Sequence, residues 1–135
     1  MNTINYSFKR WTPIDTLANN YDVDDIKWTD EGLCFSLISD SQEPDKDIPN
    51  KLRNLWDSSL VISYNVTDET YRADCWEIDF VKDGRFFISS DSEYLRLFKQ
   101  KSPLFPDEAI HFLIVGTNTI VDVIAKSHPT VELTD

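Results

Sequence analysis

Along most of this chain apolar residues alternate with polar ones instead of recurring at helical spacing, so strands dominate the expected fold. In "DIKWTDEGLCFSLIS", Ile26 and Trp28 share a face, residues 29–32 turn, and Leu33, Phe35 and Leu37 share a face of the next strand. Gly32 can take the positive φ that such a turn demands. "LVISYNV" reads as a strand with Leu60, Ile62, Tyr64 and Val66 on one side. "IHFLIVGTNTIVDVIA" reads as a hairpin around Gly116 to Thr119. Its strands are apolar on both faces, which suits the middle of a sheet or a place beneath helices. The tail can add an edge strand from Thr130 to Leu133.

"CWEIDFVKDGRFFISS" carries a different pattern. Trp76, Ile78 and Phe80 alternate with Glu77 and Asp79, and Asp83-Gly84 has the composition of a two-residue type I′ turn. With that turn, Asp79 lies opposite Ile88, and one face carries Glu77, Asp79, Val81, Phe86 and Ile88. The other face, with Trp76, Ile78, Phe80 and Phe87, is nearly all apolar and is the better core candidate.

Helical signals are fewer. Thr12 can cap and Pro13 can start a short helix with Ile14, Leu17 and Ala18 on one stripe. In "DIPNKLRNLWDS", with Asp47 or a neighbour as cap, Leu52, Leu55 and Trp56 fall at helical spacing. In "SDSEYLRLF", Ser90 and Glu93 make a capping box, and Tyr94, Leu97 and Phe98 would face inward. The whole predicts a single α+β domain over residues 1–135. It is a mainly antiparallel twisted sheet of about six strands, with two or three short helices packed on one side.

A chain of 135 residues with 41% hydrophobic and 13% aromatic residues can bury a core without disulfides or metals. The formal charge of −11, from 24 acidic and 13 basic residues, changes the functional picture. It argues against nucleic acid and against an anionic membrane surface; it would attract a basic partner, or serve solubility alone. No signal-peptide pattern or long apolar run is visible, so a cytoplasmic location is the default expectation. Cys34 and Cys75 lack metal or redox spacing and read as buried free thiols.

Catalytic chemistry is sparsely signalled. No nucleophile elbow, phosphate-binding loop, dinucleotide fingerprint or zinc motif occurs, and no cofactor or metal is called for. His111, between Ile110 and Phe112, reads as a satisfied sheet histidine, and His128 as an exposed tail residue. Carboxylates are abundant. Asp24, Asp25, Asp30 and Glu31 cluster with Asp22, and Glu77 and Asp79 sit beside Phe86 and Ile88 on the predicted face. Acidic groups among exposed aromatics suit a protein interface, where rings anchor and carboxylates select and steer a basic partner.

The stretches "WEIDFVKDGRFFISSDSEYL" and "HFLIVGTNTIVDVIAKSHPTVEL", in a small acidic α+β chain, resemble immunity proteins of bacterial contact-dependent growth inhibition and related polymorphic toxin systems. The resemblance lies in the order of elements and the composition over residues 60–133. It implies a non-enzymatic protein that binds and neutralises a cognate toxin domain, often a basic nuclease. The expected toxin-binding residues are Glu77, Asp79, Phe86 and Ile88, or the cluster Asp24, Asp25, Asp30 and Glu31. Two other readings stand beside it: a small hydrolase using carboxylates with His111, and a ligand-binding α+β domain with an apolar pocket.

Overall fold

A computed structural model describes residues 8–13, 20–39 and 51–133. Among them, nine strands form two antiparallel sheets. The five-stranded sheet has β1 (Lys9–Arg10), β6 (Phe86–Ser89), β7 (Ile110–Val115), β8 (Thr119–Ala125) and β5 (Val61–Asp68) in that spatial order. The four-stranded sheet has β2 (Tyr21–Thr29), β3 (Gly32–Ser39), β4 (Lys51–Asp57) and β9 (Thr130–Leu133). A one-turn helix, α1 (Phe80–Asp83), and the longer α2 (Glu93–Lys101) complete the described elements with short 3₁₀ turns at Glu69–Tyr71 and Ala73–Cys75.

The main core lies between the sheets. Leu33, Phe35, Leu37, Leu52 and Trp56 from one meet Phe86, Phe112, Ile114, Val121 and Val123 from the other. The second face of the five-stranded sheet is also covered. Leu95 of α2 packs with Ala109 and Ile124, and Cys75 packs with Phe87, Leu113 and Ile120. Both faces of β7 and β8 are therefore buried, as their continuous apolar sequence predicts. The largely antiparallel α+β character agrees with the sequence. The strands, however, divide into two packed sheets, and α2 is the one described helix longer than a single turn.

Several elements follow the sequence closely. β2 and β3 pair through the predicted turn, where Gly32 has φ +133° and an added Cβ would strike the Trp56 carbonyl. β7 and β8 form the expected hairpin, and β9 adds to the edge beside β4. Several expectations are corrected. Residues 51–57 are a strand, not a helix: Leu52 and Trp56 point into the sandwich, and β4 is hydrogen-bonded on both sides by β3 and β9. The helix after β6 is capped by Ser92, whose Oγ accepts from the Leu95 amide, and not by Ser90. Leu97, expected to face inward from that helix, is exposed, and Leu95 takes the buried position. In β5 a bulge after Val61 separates Val61, in the main core, from Ile62, under α2. Residues 14–18 of the predicted N-terminal helix, and Asp47, lie outside the described residues.

The predicted strand over 76–81 does not form. Asp68 accepts from the Thr70 amide at 2.9 Å and starts the first 3₁₀ turn, while Asp79 accepts from the Lys82 amide at 3.2 Å and starts α1. These side-chain caps offer the backbone an alternative to a ladder, and here they win over the alternation. Gly84, at φ +76°, follows that helical turn; it does not turn a hairpin.

One polar side chain sits inside the main core. Asn54 of β4 is fully buried, and neither its Oδ1 nor its Nδ2 has a hydrogen-bond partner among the described residues. Leaving such groups unsatisfied costs about 1–3 kcal/mol. Asn54→Val should accordingly raise the unfolding free energy by about 1–3 kcal/mol, seen as a higher urea midpoint at unchanged m-value. A lower midpoint would show that the amide is compensated.

Candidate functional site

Two regions gather functional side chains, one on each side of the edge strand β5. The first begins with β2. Its early residues Tyr21 and Val23 face the core, and an extra residue between Asp24 and Lys27 breaks the register. Asp25 takes φ +54° there, a left-handed conformation that aspartate tolerates better than most residues. The bulge shifts the parity of the strand. Ile26 and Trp28, instead of Asp25 and Lys27, then point to the core side.

Ile26 packs on the core, but Trp28 emerges where the sandwich is open. It is 49% exposed and stacks on Tyr64 of β5, with ring centroids 6.0 Å apart and planes 9° from parallel. Tyr64 is 38% and Val66 43% exposed on the same side. At the other end of β2, Asp22 accepts from the amides of Asn118 and Thr119 at 3.0 and 3.2 Å. Thr119 pairs with Asp68, so β2 runs alongside β5 from its end toward its middle. The result is an open flank bearing Trp28, Tyr64 and Val66.

Carboxylates lie on the same strand as Trp28 and in the turn that follows it. Asp24 and Asp25 are exposed on β2, and Asp30 and Glu31 are exposed in the turn that follows Trp28. Lys27 pairs with Asp25 at 3.0 Å, but both are more than half exposed, so the pair contributes little and leaves the flank acidic. The cluster Asp24, Asp25, Asp30 and Glu31 thus neighbours Trp28 along the chain, while Asp30 and Glu31 line a hollow with Lys27 and Arg53 on the outer face of the four-stranded sheet.

The other predicted group is dispersed. Glu77 and Asp79 are exposed in the connection before α1, whereas Phe86 is 2% exposed in the inter-sheet core and Ile88 is half-buried against it. The four do not share a sheet face, because the strand that would have aligned them is replaced by capped turns.

The second region lies on the outer face of the five-stranded sheet, under the connection from β5 to β6. His111 of β7 and Asp122 of β8 are diagonal neighbours across the hairpin, with His111 Nε2 2.7 Å from Asp122 Oδ1. Ser92 Oγ is 2.7 Å from His111 Nδ1. The second oxygen of Asp122 accepts from Arg72 Nη1. Arg72 in turn donates from Nε and Nη2 to the two oxygens of Asp74, each at 3.0 Å. Ser92, His111 and Asp122 are all buried, yet they line a cavity of about 360 Å³ walled by Phe8, Tyr94 and Leu97.

Burial alone would raise the Asp122 carboxyl, but the hydrogen bond from His111 and the charge of Arg72 outweigh it and hold the group below its usual range. An ionised carboxylate only accepts, so the His111 Nε2 carries the shared proton, and in the neutral ring Nδ1 is then an acceptor for the Ser92 hydroxyl. Cys75 lies just beyond, and burial with the negative charge of Asp74 pushes its thiol up to about 12, which makes it an unreactive core group. Cys34 is buried with Arg53 Nε 3.2 Å from its sulfur.

His111 fits the satisfied sheet histidine expected of it. Asp122, Arg72 and Ser92 were not anticipated. Asp122 is the one charged residue in its strand, and in the hairpin register it lands beside the one polar residue of the facing strand; that was the available signal.

Among the described residues, no group of three or more His, Cys, Asp or Glu side chains could hold a metal ion, and no helix is long and apolar enough to cross a membrane. No protein-family model, curated protein or solved structure matches this chain.

The charge network yields a stability test. Removing one partner of a buried ion pair strands the other, so Arg72→Leu should cost about 3–5 kcal/mol in urea unfolding at neutral pH. Because the folded Asp122 value is depressed, its contribution is fully present above the unfolded value near pH 4 and is lost as pH falls through the folded one. The penalty for Arg72→Leu should therefore shrink below about pH 4. A penalty under about 1 kcal/mol, or one independent of pH, would mean that the pair does not hold this segment.

Proposed function

We propose that the protein is an immunity protein that binds and neutralises a cognate, basic toxin domain of the nuclease type, covering the toxin without chemistry on it. The exposed Trp28–Tyr64 stack, on an open flank whose strand also carries Asp24 and Asp25 and leads into Asp30 and Glu31, carries this reading. Large rings left half in water cost free energy in the free protein and become anchors when a partner desolvates them. Carboxylates on the same strand and turn attract a positively charged surface and disfavour neutral or acidic competitors. A net charge of −11 extends that attraction beyond the contact patch. The acidic cluster can occupy the places that nucleic-acid phosphates would take on a nuclease.

In this mechanism the toxin is covered, not chemically changed. Its basic surface meets β2, the β2–β3 turn and the outer part of β5, and Trp28 and Tyr64 fill apolar recesses on it. Association is fast at low ionic strength and slows as salt rises, because the charges lie on an exposed rim. The exposed Glu77 and Asp79 are placed elsewhere and contribute long-range charge in this account.

Two measurements test the reading. Co-expression with the toxin-bearing product of the neighbouring reading frame should restore growth, and Trp28→Ala with Tyr64→Ala should abolish that rescue while thermal unfolding remains cooperative. Asp24→Lys with Asp25→Lys should lower the association rate several-fold at low salt, with a much smaller effect at high salt. Failure of the wild-type protein to protect, or full protection by the ring-deleted variant, would contradict the proposal.

A further inference from the structure

The buried line from Ser92 through His111 to Asp122 has no part in toxin covering, and it holds the groups of an acyl-transfer site. We propose that Ser92 is an activated nucleophile and that the protein transfers and hydrolyses small acyl esters in the cavity above it. Three observations carry this. The hydroxyl and the imidazole are 2.7 Å apart, and the imidazole is 2.7 Å from the carboxylate that orients it. Arg72 fixes the far oxygen of that carboxylate, as the third group of such a line requires. All three side chains line a cavity of about 360 Å³, large enough for a short acyl group and a small leaving group.

The local fold supplies the remaining part. Ser92 is the N-cap of α2, and its Oγ accepts a single amide hydrogen bond, from Leu95 at 3.2 Å. One hydroxyl lone pair is left for attack. The next two residues, Glu93 and Tyr94, also line the cavity, and first-turn amides of a helix have no intrahelical acceptor. Those N–H groups, at the positive end of the helix, are the ones nearest Ser92 along the chain that could serve an oxyanion.

The step balances without a further reagent. The Ser92 oxygen bonds to the ester carbonyl carbon as its proton passes to His111 Nδ1. The carbon–oxygen bond to the leaving group breaks, and the alcohol departs with that proton. Water then attacks the acyl-serine, gives its proton to Nδ1, and releases the acid and the free serine hydroxyl. Asp122 keeps the ring oriented throughout and stabilises the imidazolium formed at each transfer.

The test uses the full chain with p-nitrophenyl acetate and, separately, a fluorophosphonate probe. Peptide mass mapping should locate an acetyl or phosphonyl adduct on Ser92, with a burst of nitrophenolate ahead of slower turnover. His111→Gln should slow Ser92 labelling by about 10²-fold or more. Ser92→Gly, which keeps a tolerated cap, should abolish the burst with the far-ultraviolet circular dichroism unchanged. Wild-type protein that carries adducts only on lysines, or none at all, would overturn the proposal, as would equal Ser92 labelling in a folded His111→Gln variant.

Discussion

A single ionised carboxylate buried in an apolar sheet constrains much of this molecule. Asp122 sits in the middle of β8, in the five-stranded sheet, where an uncompensated charge would cost several kcal/mol. Its compensation comes from His111 on the neighbouring strand and from Arg72 on the connection between β5 and β6. That connection must travel from one side of the sheet to beyond β7, and it does so across the outer face. Arg72 pins it over β8, Cys75 seals it against Phe87 and Leu113, and α1 delivers the chain to β6.

The path of that connection also shapes the flank. Because the chain leaves β5 over the sheet face, β5 remains an outer strand with Tyr64 and Val66 turned toward the open side of the sandwich. The bulge at Asp25 brings Trp28 to meet them from the other sheet. A bulged, charge-bearing β2 also resists pairing with another copy of the chain, which matters because β2 is an edge of its sheet. β5 therefore separates two chemistries. One side is a ring-bearing flank, and the other holds the buried Ser92–His111–Asp122 line beside its cavity.

Much of this was legible in the sequence, and the failures have physical causes. The β2–β3 and β7–β8 hairpins and β9 were readable because their period-two patterns met turn residues at the right places. Even the bulge leaves a trace, since the apolar set moves from Tyr21 and Val23 to Ile26 and Trp28. β4 misled because Leu52, Leu55 and Trp56 satisfy a helical stripe, while the strand reading places the polar Asn54 in the core. Residues 76–80 misled because alternation says nothing about the caps at Asp68 and Asp79, which set the backbone locally. The acidic part of the flank was named from sequence, but its partner rings were not, because Trp28 and Tyr64 come from different sheets. Arg72 was invisible for the same reason: its role depends on a crossover that the order of elements does not reveal.

The central claim is that the protein acts through the flank formed by β2 and β5. Amide hydrogen exchange of the protein with and without the proposed toxin partner tests this directly. The account predicts new protection concentrated in residues 24–31 and 64–68, with the region around Glu77 and Asp79 little changed. Protection confined to other surfaces, with 24–31 and 64–68 exchanging as in the free protein, would contradict it.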